Sequence, residues 1–404
     1  MLCRFAPLLL AAAACLSAAA NAADLMAFWQ TAQYGGNSFN RLPPGKPYFE
    51  ALHAYGATWV RLAYDKWSGQ QQDFLIGNAD EYRGLQPADL ATLKATLDRA
   101  QAARLKVVIA PLSLPGARWT QNNHGRFDDR LWQDPKYAQQ AAAFWRDLAR
   151  ELKDHPAVAA YNLINEPAPE QNGGLAGHAD LATQQAWYQQ QRGGPRDLPA
   201  FYTTVIKAIR EVDPLTPIMV DSGWYGAADM FAYWPSALAD ARVLYSFHMY
   251  EPYEATSPRN LSRRPPYSYP GDVPVGGKTQ HWDAQQIARW MQSPLDWAKA
   301  HQVPPQHMVA GEFGCMRMWA GCAAYLQDVL DALDHAQIHW AFYSFREDAW
   351  DGMDYELGQF RVPDVYWAAI KQNTPDPLVR QPNALFELIH QHMQPAVQPP
   401  VGKN

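Results

Sequence analysis

Beyond its first two dozen residues the chain has no apolar run long enough to cross a membrane, so no membrane span is expected. Positive charge is also short: 34 Lys and Arg stand against 40 Asp and Glu, a net of −6. A protein that neutralises nucleic-acid phosphates needs the opposite balance, so no nucleic-acid partner is expected. Cysteine is scarce, four in 404 residues, and no Cys/His spacing resembles a zinc site. No G-x-G-x-x-G follows the first strand candidate, which argues against an open dinucleotide-binding sheet. No G-x-S-x-G is present either. Asp221-Ser222-Gly223 is not a nucleophile elbow, which disfavours a serine hydrolase. Repeats and interdomain linkers are missing too, and the length suits one large α/β domain.

What is present begins with a targeting segment. Arg4 supplies a positive start, Pro7 to Leu16 an apolar stretch, and Ala20-Asn21-Ala22 a cleavage site. Residues 1–22 are therefore expected to be a signal peptide. Cys15 raises a lipoprotein alternative, although Ala12-Ala13-Ala14 before it lacks the usual large aliphatic residue. The mature protein is expected to be exported, periplasmic or extracellular. Residues 23–394 are expected to form a single domain, and 395–404 a flexible Pro-rich tail. Cys315 and Cys322, seven apart in an exported chain, are expected to form a disulfide. Sixteen Trp and twenty Tyr exceed what a core needs. Exposed aromatics suit flat sugar rings, with ordinary packing the alternative for each one.

The interior alternates apolar strands with amphipathic helices. Strand candidates are Leu25–Trp29, Thr58–Ala63, Lys106–Leu112, Val158–Ile164, Pro217–Asp221, Arg242–Tyr250, His307–Glu312 and Ile338–Tyr343. Between them, Pro87–Arg104 places Leu90, Leu93, Leu97 and Ala100 on one face, and Asp134-Pro135 opens another helix. Further helices are expected at Pro199–Val212, Asp283–His301, Cys322–Ala336 and Asn383–His392. Two long connections, Ala168 to about Pro195 and Tyr250 to about Trp282, read as loops. Eight such units predict a parallel sheet closed as a (β/α)8 TIM barrel.

The strand ending Leu163-Ile164-Asn165-Glu166-Pro167 stops at a proline, so Glu166 sits at a strand's carboxyl end. That end is where parallel α/β proteins bind ligands. Glu312 ends another buried strand three units later. In a closed barrel both carboxylates would enter one mouth. Two carboxyls about 5 Å apart hydrolyse glycosides with retention, one as nucleophile and one as acid/base. No metal or organic cofactor is then required.

These residues resemble glycoside hydrolase family 5, the cellulase family. The resemblance rests on Asn165-Glu166-Pro167, Gly311-Glu312-Phe313-Gly314, Arg61 in Val60-Arg61-Leu62, the pair His248 and Tyr250, and Trp340. It spans the whole expected barrel. It implies that Glu166 is the acid/base and Glu312 the nucleophile. Asn165 would bond the sugar 2-hydroxyl, and Tyr250 and Arg61 would hold Glu312 ionised. His248 would neighbour Glu166, and Trp340 would stack under the sugar. Arg61 could instead be a buried barrel salt bridge, His248 a satisfied core histidine and Trp340 plain core.

One position departs from the family. The family carries a His at the end of strand three, whereas here Leu112 or Ser113 falls there, with His124 further on. Trp224, Tyr225, Trp119 and Trp319 are second-tier sugar platforms, with packing the alternative for each. The reading is a secreted, monomeric, retaining endo-β-glycosidase acting on a polysaccharide, β-1,4-glucan first. Endo-β-mannanase, bacterial exopolysaccharide hydrolase and a catalytically silent glycan-binding barrel are the alternatives.

Overall fold

The computed structural model describes residues 25–374 and 376–394. The expected signal peptide and the tail from 395 lie outside the described residues.

Eight parallel strands close into a barrel: β1 (Tyr34–Ser38), β2 (Trp59–Leu62), β3 (Lys106–Ile109), β4 (Val158–Asn162), β5 (Ile218–Asp221), β6 (Val243–Met249), β9 (Met308–Phe313) and β10 (His339–Phe342). The two remaining strands, β7 (Gly271–Val275) and β8 (Lys278–Trp282), form a separate antiparallel hairpin. Barrel strands buried on both faces read as continuous apolar runs. That is why seven of the eight were visible in the sequence.

The first was not. Leu25–Phe28 is a short helical turn rather than a strand. Trp29 after it is fully buried in a cluster with Trp59, Val108, Ala160, Met219, Leu244 and Ala341, and its Nε1 donates to Ala159 O at 3.2 Å. The segment thus places an indole against the barrel's interior residues, and β1 follows it as Tyr-Gly-Gly-Asn-Ser. A side chain on Gly35 would put its Cβ 2.6 Å from Trp59 O and 2.9 Å from the Trp59 ring. The large indole on β2 thus demands glycine on β1, and glycine erases the apolar signature of a strand.

The helices include α1 (Lys46–Ala54), α2 (Pro87–Ala102), α3 (Pro135–Leu152), α4 (Leu181–Gln191), α5 (Leu198–Arg210), α6 (Ala284–Ala300), α7 (Cys322–Ala336), α8 (Asp364–Gln372) and α9 (Ala384–Met393). Both long connections hold structure that was read as loop. The first contains α4, started by the Asp180 side chain accepting from Thr183 N. The second contains the β7–β8 hairpin, turning at Gly276-Gly277 with φ of 57° and 76°. Among the described residues, no helix is long and apolar enough to cross a membrane.

Three helices grip the strand ends that matter. Trp145 of α3 donates to Leu163 O at 2.8 Å. Tyr202 of α5 donates to Asp221 O at 2.8 Å. Tyr325 of α7 donates to Met249 O at 3.2 Å. Each is a buried aromatic that spends its one polar atom on a carbonyl where a strand ends. The carboxyl ends of β4, β5 and β6 are thereby held rigid.

Candidate active site

The site is built around Arg61 on β2, which is fully buried. A guanidinium has five N–H donors, and all five are used here. Nε donates to Asn162 Oδ1 at 2.8 Å. Nη1 donates to Asn37 Oδ1 at 3.3 Å and Glu312 Oε1 at 2.6 Å. Nη2 donates to Asn165 Oδ1 at 2.8 Å and Asp221 Oδ2 at 3.1 Å. One cation therefore ties together β1, β2, β4, β5 and β9. Such a fork tolerates burial because every donor finds an acceptor and two of these are carboxylates.

Glu312 lies on β9, 3 % exposed. Its second oxygen accepts from the Tyr250 hydroxyl at 2.7 Å. Burial raises its carboxyl above the ordinary value; His248, Arg61 and Tyr250 pull it down, and Glu166 pushes it up.

Glu166 follows β4 at φ 50°, a conformation that costs a non-glycine residue about 1 kcal/mol or more. Its backbone N–H donates to Asp221 Oδ2 at 3.2 Å, which holds that turn. Its side chain keeps 30 % of its surface open, so it can exchange a proton with whatever occupies the mouth. Burial pushes its carboxyl up to about 8, with Asp221 adding to the push and Arg61 opposing it. No cation touches Glu166, whereas Arg61 touches Glu312.

His248 stands beside both. Its Nδ1 is 2.9 Å from Glu166 Oε1 and 3.8 Å from Glu312 Oε2, and its Nε2 is 3.5 Å from Asp221 Oδ2. Burial lowers its pKa, and the charges of Glu312 and Asp221 oppose that push. One carboxylate oxygen of Glu166, one of Glu312 and a nitrogen of His248 all lie within 4.8 Å of one another. This is the one His/Cys/Asp/Glu group among the described residues spaced to hold a metal ion. Arg61 already supplies a cation to the same carboxylate.

Arg61, Asn165, Glu166, His248, Tyr250 and Glu312 are thus brought together, but two of the tryptophans are not. Trp340 is fully buried against Tyr34 and Phe313, in the cluster shared with the helices. Strand alternation turns it away from the mouth, while Ala341 faces the barrel interior. Tyr343 stands at that strand's end instead. It packs against Phe39, Ala63 and Leu112, and it donates to Glu347 Oε2 at 2.7 Å. Burial and then Glu347 raise its pKa most, with Glu312 and Glu166 adding smaller pushes. Trp319 is 3 % exposed and donates to Tyr267 O at 2.8 Å, so it packs rather than presents a face. It lies within the loop closed by the Cys315–Cys322 disulfide, which is formed.

Trp224 and Tyr225 follow β5 beside the Glu166 turn, where the Tyr225 N–H donates to Pro167 O at 3.1 Å. Both have positive φ, 44° and 61°. The Trp224 N–H donates at 3.0 Å to Glu170, a fully buried carboxylate that also accepts from Tyr233. Tyr225 is 38 % exposed, with Glu166 among the charges that raise its hydroxyl pKa after burial. Trp119 is half-buried beneath the Lys66 ammonium, 5.4 Å from the ring centre.

A carboxylate from the loop after β2 caps the end of β3. Asp65 accepts from Leu112 N and Ser113 N, both at 2.8 Å, and burial pushes it up to about 7. His124 is exposed and caps a short turn. Asp221, Asn37, Asn162, Asp65 and Tyr343 all escaped the sequence reading. Asp221 had a signal, since it ends a buried strand as Glu166 and Glu312 do.

Comparisons with known proteins bear on the family and the fold. A model of the cellulase family, glycosyl hydrolase family 5, matches residues 20–349. No curated protein matches the chain. Among solved structures, it is similar to Pseudomonas stutzeri endoglucanase Cel5A in complex with cellobiose, at 18 % identity and TM-score 0.57 over 90 % of this chain and 92 % of that one. The Thermotoga maritima endoglucanase Cel5A gives 14 % identity and TM-score 0.59 over 90 % and 97 %. The cellulose synthase subunit Z of Clostridioides difficile gives 16 % and 0.55 over 80 % and 93 %.

Proposed function

The chain belongs to the cellulase family, glycosyl hydrolase family 5, and is a glycoside hydrolase; from that premise we propose that it is an exported, monomeric endo-β-glycosidase acting with retention on a β-linked polysaccharide, β-1,4-glucan first. The observation that carries the mechanism is the approach of Glu166 and Glu312, whose nearest carboxyl oxygens lie within 4.8 Å. Such closeness supports retention, since an inverting water needs carboxyls about 6.5–9.5 Å apart.

In this reading Glu312, charged against Arg61, attacks the anomeric carbon. Glu166 gives its proton to the departing oxygen, so the glycosidic bond breaks as the Glu312 ester forms. Glu166, now a base, takes a proton from water, and that water releases the sugar from Glu312. Asn165 spends its oxygen on Arg61, which leaves its amide nitrogen for a sugar hydroxyl. Tyr343 supports the sugar in the role expected of Trp340, and Trp224 and Tyr225 flank the side of the leaving group.

The substrate remains a choice among glucan, β-mannan and a bacterial exopolysaccharide. One observation favours keeping the last two: Leu112, Phe39 and Ala63 line the region where the family carries a strand-three His. The deciding experiment is turnover of defined β-glucan, mannan and exopolysaccharide oligomers, with product length and initial anomer read by NMR. Retained anomeric configuration and loss of turnover in Glu312→Gln are expected. A glycan-binding barrel would bind the same oligomers without cleaving any, and initial inversion would overturn the double displacement.

A further inference from the structure

A second buried titratable cluster lies on the β4–β6 side of the mouth. His178, in the connection after β4, has its Nδ1 3.2 Å from Asp229 Oδ2 and its Nε2 3.7 Å from Glu251 Oε1. Asp229 belongs to the loop after β5, and Glu251 comes two residues after β6 ends. The ring meets Trp290 of α6 edge-on, with centroids 5.2 Å apart. The hairpin turn also touches it: a Cβ on Gly276 would lie 3.2 Å from His178 Cβ and carbonyl oxygen. One side chain therefore joins the loops after β4, β5 and β6 to the hairpin and α6.

Glu251 links this cluster to the chemistry. It is 7 % exposed, and its Oε2 accepts the Tyr250 N–H at 3.3 Å. The hydroxyl of that same tyrosine donates to Glu312 at 2.7 Å. We propose that His178 is a positioning residue for the nucleophile: it anchors Glu251, which holds the Tyr250 backbone so that the hydroxyl meets Glu312. The proposal rests on Glu312 being the nucleophile.

The charge balance around the ring supports this. The charged groups facing it are Asp229 and Glu251; α6 presents Trp290 and the hairpin presents Gly276. Burial favours a neutral imidazole, but the bond to Asp229 and the charges of Glu251 and Asp229 outweigh it and push the ring up to about 9. Burial raises Glu251, and the nearby Asp229 raises it further; His178 is the largest opposing influence, followed by the backbone N–H bonds of Glu251 and Tyr250. Without the imidazolium, two carboxylates would face each other in a largely closed space. Glu251 would then take up a proton or swing out, and Tyr250 would lose the anchor on its N–H while the Thr256 hydroxyl still donates to its carbonyl at 2.6 Å.

The test compares wild type with His178→Gln and His178→Lys. On a cleaved substrate, His178→Gln should lower kcat about 10-fold with KM nearly unchanged, the cost of a weakened hydrogen bond to a charged group. The acid limb of its kcat profile should move to higher pH, because Glu312 loses a donor. His178→Lys, which keeps a cation, should recover part of both. In a Tyr250→Phe background, His178→Gln should add nothing. Unchanged kcat and acid limb, or additive losses in the double variant, would overturn the proposal. The ring-proton NMR signal of His178 supplies a readout independent of turnover. Its midpoint should lie near 9 and fall towards the ordinary value in Glu251→Gln; an ordinary midpoint in wild type would overturn the proposal. If wild type cleaves no β-glycan, the nucleophile reading fails first, and the NMR midpoint still reports on the His178–Glu251 contact.

Discussion

In the proposed mechanism Glu166 works as an acid only while it holds its proton, and burial pushes its carboxyl up to about 8. The protonated form is the active one, so kcat/KM should fall as pH rises through about 8. A pH-rate profile of wild type checks this; an alkaline limb near the ordinary carboxyl value of about 4.3 would contradict it. Tyr250→Phe removes one donor to Glu312. A hydrogen bond to a charged group contributes about 1.5–3 kcal/mol, so kcat should drop about 10- to 100-fold. Arg61→Met takes one partner from a fully buried charge cluster and leaves Asp221 and Glu312 uncompensated. It should cost about 3–5 kcal/mol of stability, measured by urea unfolding, besides removing activity. Glu166 and Glu312 could be picked from their places at strand ends. Asn37 and Tyr343 could not, because nothing local in a sequence says which way a strand's alternation faces.

Strand ends and the loops after them carry the site, so their stiffness matters more than the core's. The Cys315–Cys322 bond closes a short loop that begins three residues after Glu312. Its loss in a Cys315→Ser/Cys322→Ser variant should lower stability by about 2–3 kcal/mol, read from the shift in the thermal midpoint. The tryptophan in that loop shows how an element overrides a residue's character. Trp319 looked like a sugar platform beside Glu312, yet its loop folds it under Tyr267 and Tyr269. Trp340 failed for a similar reason. Its strand was identified correctly, but a shift of one position in a two-residue period separates a wall of the mouth from a contact with the helices.

Across the molecule, distant apolar pieces decide how the barrel closes. Trp29 precedes the barrel yet packs with interior residues from seven strands. Trp29→Ala should cost about 3–5 kcal/mol through the cavity it leaves. At temperatures where the variant is still folded, its pH-rate profile should match wild type, because the mouth is at the other end of the strands. A changed profile would mean that interior packing sets the geometry of Arg61 and Glu312.

Much of this protein was written into local patterns. Apolar runs and amphipathic stretches established seven of eight strands and the barrel class, because burial on both faces leaves a mark on every residue of a strand. The strand-end carboxylates and the family resemblance carried the reading to a glycoside hydrolase. What required three dimensions was convergence. Arg61 meets Asn37, Asn162, Asn165, Asp221 and Glu312 across as many as 251 residues of chain. Gly35 makes sense only beside Trp59. His178 reads as a loop residue until the fold sets it between Asp229 and Glu251. Chemistry of this kind depends on distances between groups that the chain keeps far apart, and only closure of the barrel brings them within reach.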